Sequence, residues 1–239
     1  MAPRLETIVV GGGVFHLQYG PEDADSARQI AGALKSAVPA SERWGRFSAP
    51  VLITIHPTHQ ALEAAAHREG YAWLRAWARY ASVDLQSPRT WSNGRTTDAG
   101  MAQLLAHELT HCVMYQSAGS ASDWATRRIP LWFREGMASV TAGQEHEGTG
   151  SQAHHRSPRD GDPLAALDPL YRSESELVYE TAHQAFHFLL ERFGEERIRR
   201  LIATMGEGQR FPEAFESAVG IPVQDFEGDF KRQHEASQG

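Results

Sequence analysis

Leu104-Leu-Ala-His-Glu-Leu-Thr-His-Cys-Val113 is the segment on which the reading of this chain turns. Four residues along an α-helix correspond to about 400°, so His107 and His111 fall one turn apart and about 40° round from each other. Both imidazoles can then reach one ion at roughly 2.0–2.1 Å. Glu108 follows His107 by one residue, lies to the side of such an ion and can hydrogen-bond a water without displacing it, as a metal-assisted hydrolase requires. Leu104, Leu105, Leu109, Cys112 and Val113 supply apolar contacts around the helix, and Thr97 or Asp98 can cap its start. The alternative is a chance match on an amphipathic helix, which would leave Glu108 a half-buried carboxylate with nothing to answer its charge.

A catalytic zinc needs a third protein ligand and an open fourth position. The metzincin pattern places a glycine and a third histidine soon after the second, but here those places hold Met114 and Ser117. Cys112 adjoins His111 and points about 100° away round the helix, so it reads as a small buried hydrophobe. A carboxylate from a following helix remains. Leu131-Trp-Phe-Arg-Glu-Gly-Met-Ala138 offers Glu135 on a short apolar segment, with Gly136 allowing close approach to a neighbouring helix. A surface pairing of Glu135 with Arg134 is the competing reading; Trp132, Phe133 and Met137 favour a buried carboxylate that wants a cation.

Around these segments the first half alternates strands and helices. Residues 7–18 read as a strand pair broken at Gly11-Gly12-Gly13. Ala27, Ile30, Ala31, Leu34 and Val38 mark a helix over 21–38. Pro50-Val-Leu-Ile-Thr-Ile-His56 is a β-branched strand between prolines, a short helix covers 58–67, and 81–86 alternates as a half-buried strand. Helices follow over 98–117, closed by Gly119, and from near Pro130 to near Gly143. Residues 143–168 read as a long polar loop that carries His146, His154 and His155, expected to be solvated or part of a flap. Ser173 and Glu176 predict a capping box for a helix that Gly194 stops at Phe193. Shorter helices are expected at 195–205, 210–219 and 222–235. No internal repeat is visible. The expected fold is α+β: a small mixed sheet with helices in the N-terminal half, the zinc-binding helix at the cleft, and an all-helical C-terminal half. The expected division is residues 1–119 and 120–239, forming one catalytic unit.

The 239 residues carry 23 basic and 30 acidic side chains, a formal net charge of −7. With no basic block there is no electrostatic footprint for nucleic acid or anionic lipid. The single cysteine excludes an internal disulfide and a Cys-based structural zinc site. The apolar run over residues 8–14 holds three glycines and reads as strand and turn rather than a signal-peptide core. No apolar run is long enough to span a bilayer. A cytoplasmic location is the expectation, and oligomeric state is open.

Taken together, Leu105-Ala-His-Glu-Leu-Thr-His111, Leu131-Trp-Phe-Arg-Glu-Gly-Met-Ala138, Tyr179-x-x-Ala182 and Phe188-Leu-Leu-Glu-Arg-Phe-Gly194 resemble the gluzincin metallopeptidases of clan MA, closest to the aminopeptidase-like branch and its small peptidase MA-like relatives. The resemblance covers roughly residues 50–235. It implies a zincin-like fold, one Zn2+ per chain held by His107, His111 and Glu135, Glu108 as general base, and a peptide or protein substrate. It also implies a tyrosine that stabilises the oxyanion, at Tyr179. His183, on the same helix face, can fill that role, and Tyr171 is a weaker rival. A sheet-edge strand where substrate would pair is expected at residues 81–86. The Gly-x-Met-Glu-Asn segment with which aminopeptidases hold a free amino terminus is absent, so exo- or endo-cleavage stays open. Two other readings are kept: a zinc-binding scaffold without activity, and a hydrolase of non-peptide amides or esters at the same site.

Overall fold

The computed structural model describes residues 2–91, 96–144, 164 and 167–236. The chain divides into two compact units, Met1–Trp124 and Ala125–Gly239.

In the first unit, β1 (Arg4–Val10) and β2 (Gly13–Tyr19) form a hairpin whose two-residue loop places Gly11 at φ 57°, a conformation that favours glycine. A 3-10 turn at Pro21–Asp23 leads into α1 (Ala24–Ser41), which runs three residues past the expected end and through Pro39. A proline this close to the end forfeits one hydrogen bond, and the Ser41 hydroxyl donates to the Ala37 carbonyl at 2.8 Å in the last turn. Then come β3 (Val51–His56), α2 (His59–Ala66), β4 (Ala76–Ala78), β5 (Ser82–Gln86) and α3 (Asp98–Ala118).

The sheet order is β1-β2-β3-β5-β4, with β2, β3 and β5 parallel and the two outer strands antiparallel to their neighbours. Residues of β2 and β3 alternate between buried and half-buried, the period-2 signature of a sheet with one face in a core. Phe15, Leu17, Val51, Ile53, Val83 and Leu85 are fully buried on that face. α1 and α3 pack along each other, α1 reaching β1 and β2, and α3 reaching β4 and β5. Leu62, Ala66 and Leu74 form a separate cluster with Trp77.

Two expectations are corrected here. The strand over residues 81–86 is not a sheet edge, because β4 pairs outside it, Trp77 opposite Asp84. β4 spans only three residues, too few to show an alternation. The Ser173–Glu176 capping box does not form: the helix starts at Ser175, with Glu174 at its N-cap and no side-chain cap. The backbone N–H groups of Ser173 and Glu174 instead donate to the Leu170 carbonyl, closing the short helix before it.

The second unit is helical: α4 (Leu131–Thr141), α5 (Leu167–Leu170), α6 (Ser175–Gly206), α7 (Phe211–Val219) and α8 (Val223–Ala236). α6 is broken at Gly194, φ 79° and ψ 164°, where the sequence places a stop. α5 was not expected; it lies at the end of the segment read as loop. Trp132, Phe133, Phe186, Phe211, Phe215 and Phe226 form the aromatic core of this unit. No described helix is long and apolar enough to cross a membrane.

Candidate metal centre

The Thr97 side chain caps α3, accepting from the Gly100 N–H at 3.0 Å. From Leu105 to Gln116 every residue of the helix is buried, so the metal motif lies in a stretch enclosed on all sides. Polar tethers fix its position. Gln116 Oε1 accepts from the N–H groups of Ser48 at 2.7 Å and Ala49 at 2.9 Å, while its Nε2 donates to the Tyr80 carbonyl at 2.8 Å. The Thr110 hydroxyl donates to the Ala106 carbonyl. The Cys112 thiol donates to the Arg79 carbonyl at 3.2 Å; burial, and then the Glu108 charge, push its pKa up, so it is an inert packing group.

His107 and His111 are 5% and 6% exposed, and their Nε2 atoms are 3.3 Å apart with the rings nearly perpendicular. Two ligands at roughly 2.0–2.1 Å from a tetrahedral ion are about 3.3–3.4 Å from each other, so the pair already has the separation that one shared ion needs. Tyr115, one turn on, stacks on His111 and on Trp124. Glu108 is 7% exposed.

Glu135 is 4% exposed on α4. That helix is held among aromatic rings, with the Trp132 Nε1 donating to Glu227 at 3.0 Å. Gly136 makes the close approach its sequence suggested, to α6: a methyl there would lie 2.1 Å from the Ala182 carbonyl oxygen and 2.6 Å from Phe186 Cβ. One turn beyond Glu135, the Ser139 Oγ lies 2.8 Å from His183 Nδ1. Tyr179, one turn before His183 on α6, has its hydroxyl 3.2 Å from that of Tyr171. Tyr179 and His183 are both half-buried. Ser139 went unremarked in the sequence; its spacing of four from Glu135 was the available signal, but its partner sits on another helix. His146, His154 and His155 lie outside the described residues.

Among the described residues one group has metal-ligating character: His107, His111 and Glu135, all buried, with ligand atoms within 4.8 Å of one another. Two imidazole nitrogens and one carboxylate oxygen form a donor set that suits zinc, whereas calcium and magnesium prefer oxygen donors throughout.

No protein-family model matches the chain, and no curated protein does. It is similar to solved structures of a variant two-domain M1 zinc metallopeptidase, one bound to L-arginine (14% identity, TM-score 0.45, covering 96% of this chain and 50% of that one) and one bound to L-tryptophan (13% identity, TM-score 0.45, 95% and 51%). A variant M1 zinc metallopeptidase from Deinococcus radiodurans matches at 11% identity and TM-score 0.42, over 96% and 51%. The chain spans about half the length of these structures.

Proposed function

We propose that this chain is a zinc-dependent metallopeptidase in which His107, His111 and Glu135 hold the metal and Glu108 is the general base. The observation that carries the reading is the buried His-His-Glu group, two of whose members bracket a buried glutamate on one helix. Two imidazoles and a carboxylate with ligand atoms within 4.8 Å of one another are a donor set that one zinc ion can join. A zinc ion held there would polarise a substrate carbonyl and acidify a water.

Glu108 follows His107 by one residue, so its carboxylate lies beside the donor set rather than in it. It takes the proton of the attacking water and passes it to the leaving amine. Tyr179 donates its phenol hydrogen to the developing oxyanion of the substrate. His183 is the second candidate for that role; its Nδ1 lies 2.8 Å from the Ser139 Oγ. The substrate is a peptide or protein.

Elemental analysis of purified wild type beside Glu135→Ala tests the ligand set. About one zinc per chain in wild type and a marked loss in the variant are expected. Glu108→Gln should keep its zinc and lose about 100-fold or more in peptide hydrolysis. Equal zinc in wild type and Glu135→Ala would remove Glu135 from the site, and full peptidase activity in Glu108→Gln would remove the mechanism.

A further inference from the structure

The hairpin that begins the chain plays no part in the chemistry above, yet it carries an unusual surface. Among the described residues the exposed large hydrophobic side chains are Leu5 and Val9, at 63% and 68% exposure. Both belong to β1, the terminal strand of the sheet. They flank the exposed Thr7 at a spacing of two, so all three project from the same face of the strand. The opposite face, with Ile8 and Val10 half-buried, is the one that pairs over the core residues Phe15 and Leu17.

The backbone phase of this edge follows from the hairpin. The register runs without a bulge from Arg4 opposite Tyr19 to Val10 opposite Gly13. The pair that flanks a two-residue loop is a hydrogen-bonded one, and such pairs alternate along the ladder. Arg4, Glu6, Ile8 and Val10 therefore turn their N–H and C=O groups to β2. Leu5, Thr7 and Val9 turn theirs to the open edge. Sheet edges are ordinarily blunted by a proline, a lysine, a bulge or a short strand. β1 is seven residues long and has no proline, lysine or bulge; its charged side chains, Arg4 and Glu6, lie in its first half.

We propose that β1 is a dimerisation strand, and that two copies of this chain pair antiparallel through it about a two-fold axis at Thr7. The strand is complementary to itself in this register. Leu5 of one copy falls opposite Val9 of the other, Thr7 opposite Thr7, and Val9 opposite Leu5. The residues whose backbone groups face outward are the same ones that carry the exposed side chains. Each of these pairs is of the hydrogen-bonded kind, giving about six new backbone hydrogen bonds. Aliphatic and Thr–Thr cross-strand pairs are favourable ones. Charge fits as well: Arg4 comes opposite Val10 and Glu6 opposite Ile8, so no like charges are directly apposed. The product is one continuous sheet running through both copies, closed by the two-fold axis.

Sedimentation velocity of the full chain over a range of concentrations, together with amide hydrogen exchange, tests this. A reversible dimer is expected. Thr7→Pro removes an outward-facing donor that β2 does not use, and Val9→Lys sets a charge against Leu5 of the second copy while keeping every backbone donor. Each should weaken the dimer about tenfold or more, the proline through the loss of the two hydrogen bonds of the Thr7 pair and the lysine through a charge set against an aliphatic partner, with an unchanged circular dichroism spectrum. The amides of Leu5, Thr7 and Val9 should gain protection as concentration rises, while those of Glu6, Ile8 and Val10 stay protected throughout. A monomer at every concentration, a dimer indifferent to both variants, or concentration-independent protection of the three amides would each overturn the proposal, the last by placing a segment of the same molecule on the edge.

Discussion

α3 and α4 each carry buried side chains of the proposed metal site, and they are fixed in opposite ways. α3 is held by side chains that reach out from it: Gln116 to three backbone groups, Cys112 to the Arg79 carbonyl, Thr97 at its cap. α4 is held by a side chain that is missing, since Gly136 brings its backbone against the Ala182 carbonyl of α6. Tethers are separable, and losing one leaves the others. A close backbone approach is all or nothing, because no flexible atom on either side can yield. Perturbing the two helices should therefore give effects of different size.

Gly136→Ala is the severest test. In an exposed helix this change would be stabilising by about 1 kcal/mol. Here the added methyl lies 2.1 Å from a carbonyl oxygen, and α4 must move from α6. A loss of about 3 kcal/mol is expected from such overpacking, read as a lower denaturant midpoint in chemical unfolding. Glu135 and Ser139 ride on the same helix, so zinc content should fall along with stability. A variant as stable and as metal-loaded as wild type would break the contrast, because α4 would then be free to shift.

Gln116→Ala should cost less, about 2 kcal/mol, because it leaves the Ser48 and Ala49 N–H groups and the Tyr80 carbonyl unanswered in a half-buried setting. Zinc content should hold, since His111 and His107 lie about one and a half and two and a half turns away and the rest of α3 keeps its contacts. Gln116→Glu sharpens the test: it retains the acceptor for two N–H groups and gives up only the donor to Tyr80, so it should fall between wild type and Gln116→Ala. Denaturant titrations of the three proteins side by side decide it, and a zinc loss in Gln116→Ala matching that of Gly136→Ala would erase the distinction between the helices.

The same contrast explains what could be read from the residues alone. The helix that carries the two histidines and Glu108 was legible because their relation is set within one turn, and β3 was legible from its β-branched run between Pro50 and Pro57. Gly194 declared its break through the one property only glycine supplies cheaply, a backbone at φ 79°. What escaped depended on partners far along the chain. β5 alternates like a half-buried strand, but whether it is the sheet edge that the resemblance implies depends on β4, three residues with no pattern of their own. Ser173 and Glu176 have the spacing of a cap, but α5 claims the Ser173 backbone for its own end. Ser139 acquires its meaning from His183, on another helix. Gly136 stands between the two cases: its small size was visible in the sequence, and its partner Ala182 was not.

The smallest effect belongs to the outermost tether. Thr97 is exposed, and its hydroxyl satisfies one of the N–H groups that a helix start leaves open. Thr97→Ala should cost about 1 kcal/mol, and Thr97→Ser almost nothing, since serine caps as well. His107 lies nearly three turns further in, within the enclosed stretch, so zinc content and peptide hydrolysis should be those of wild type. The measurement is a denaturant midpoint paired with elemental analysis on both variants. A zinc loss in Thr97→Ala would mean that fraying at the cap travels down α3 to His107, and that the helix behaves as a single cooperative element rather than as one pinned at separate points.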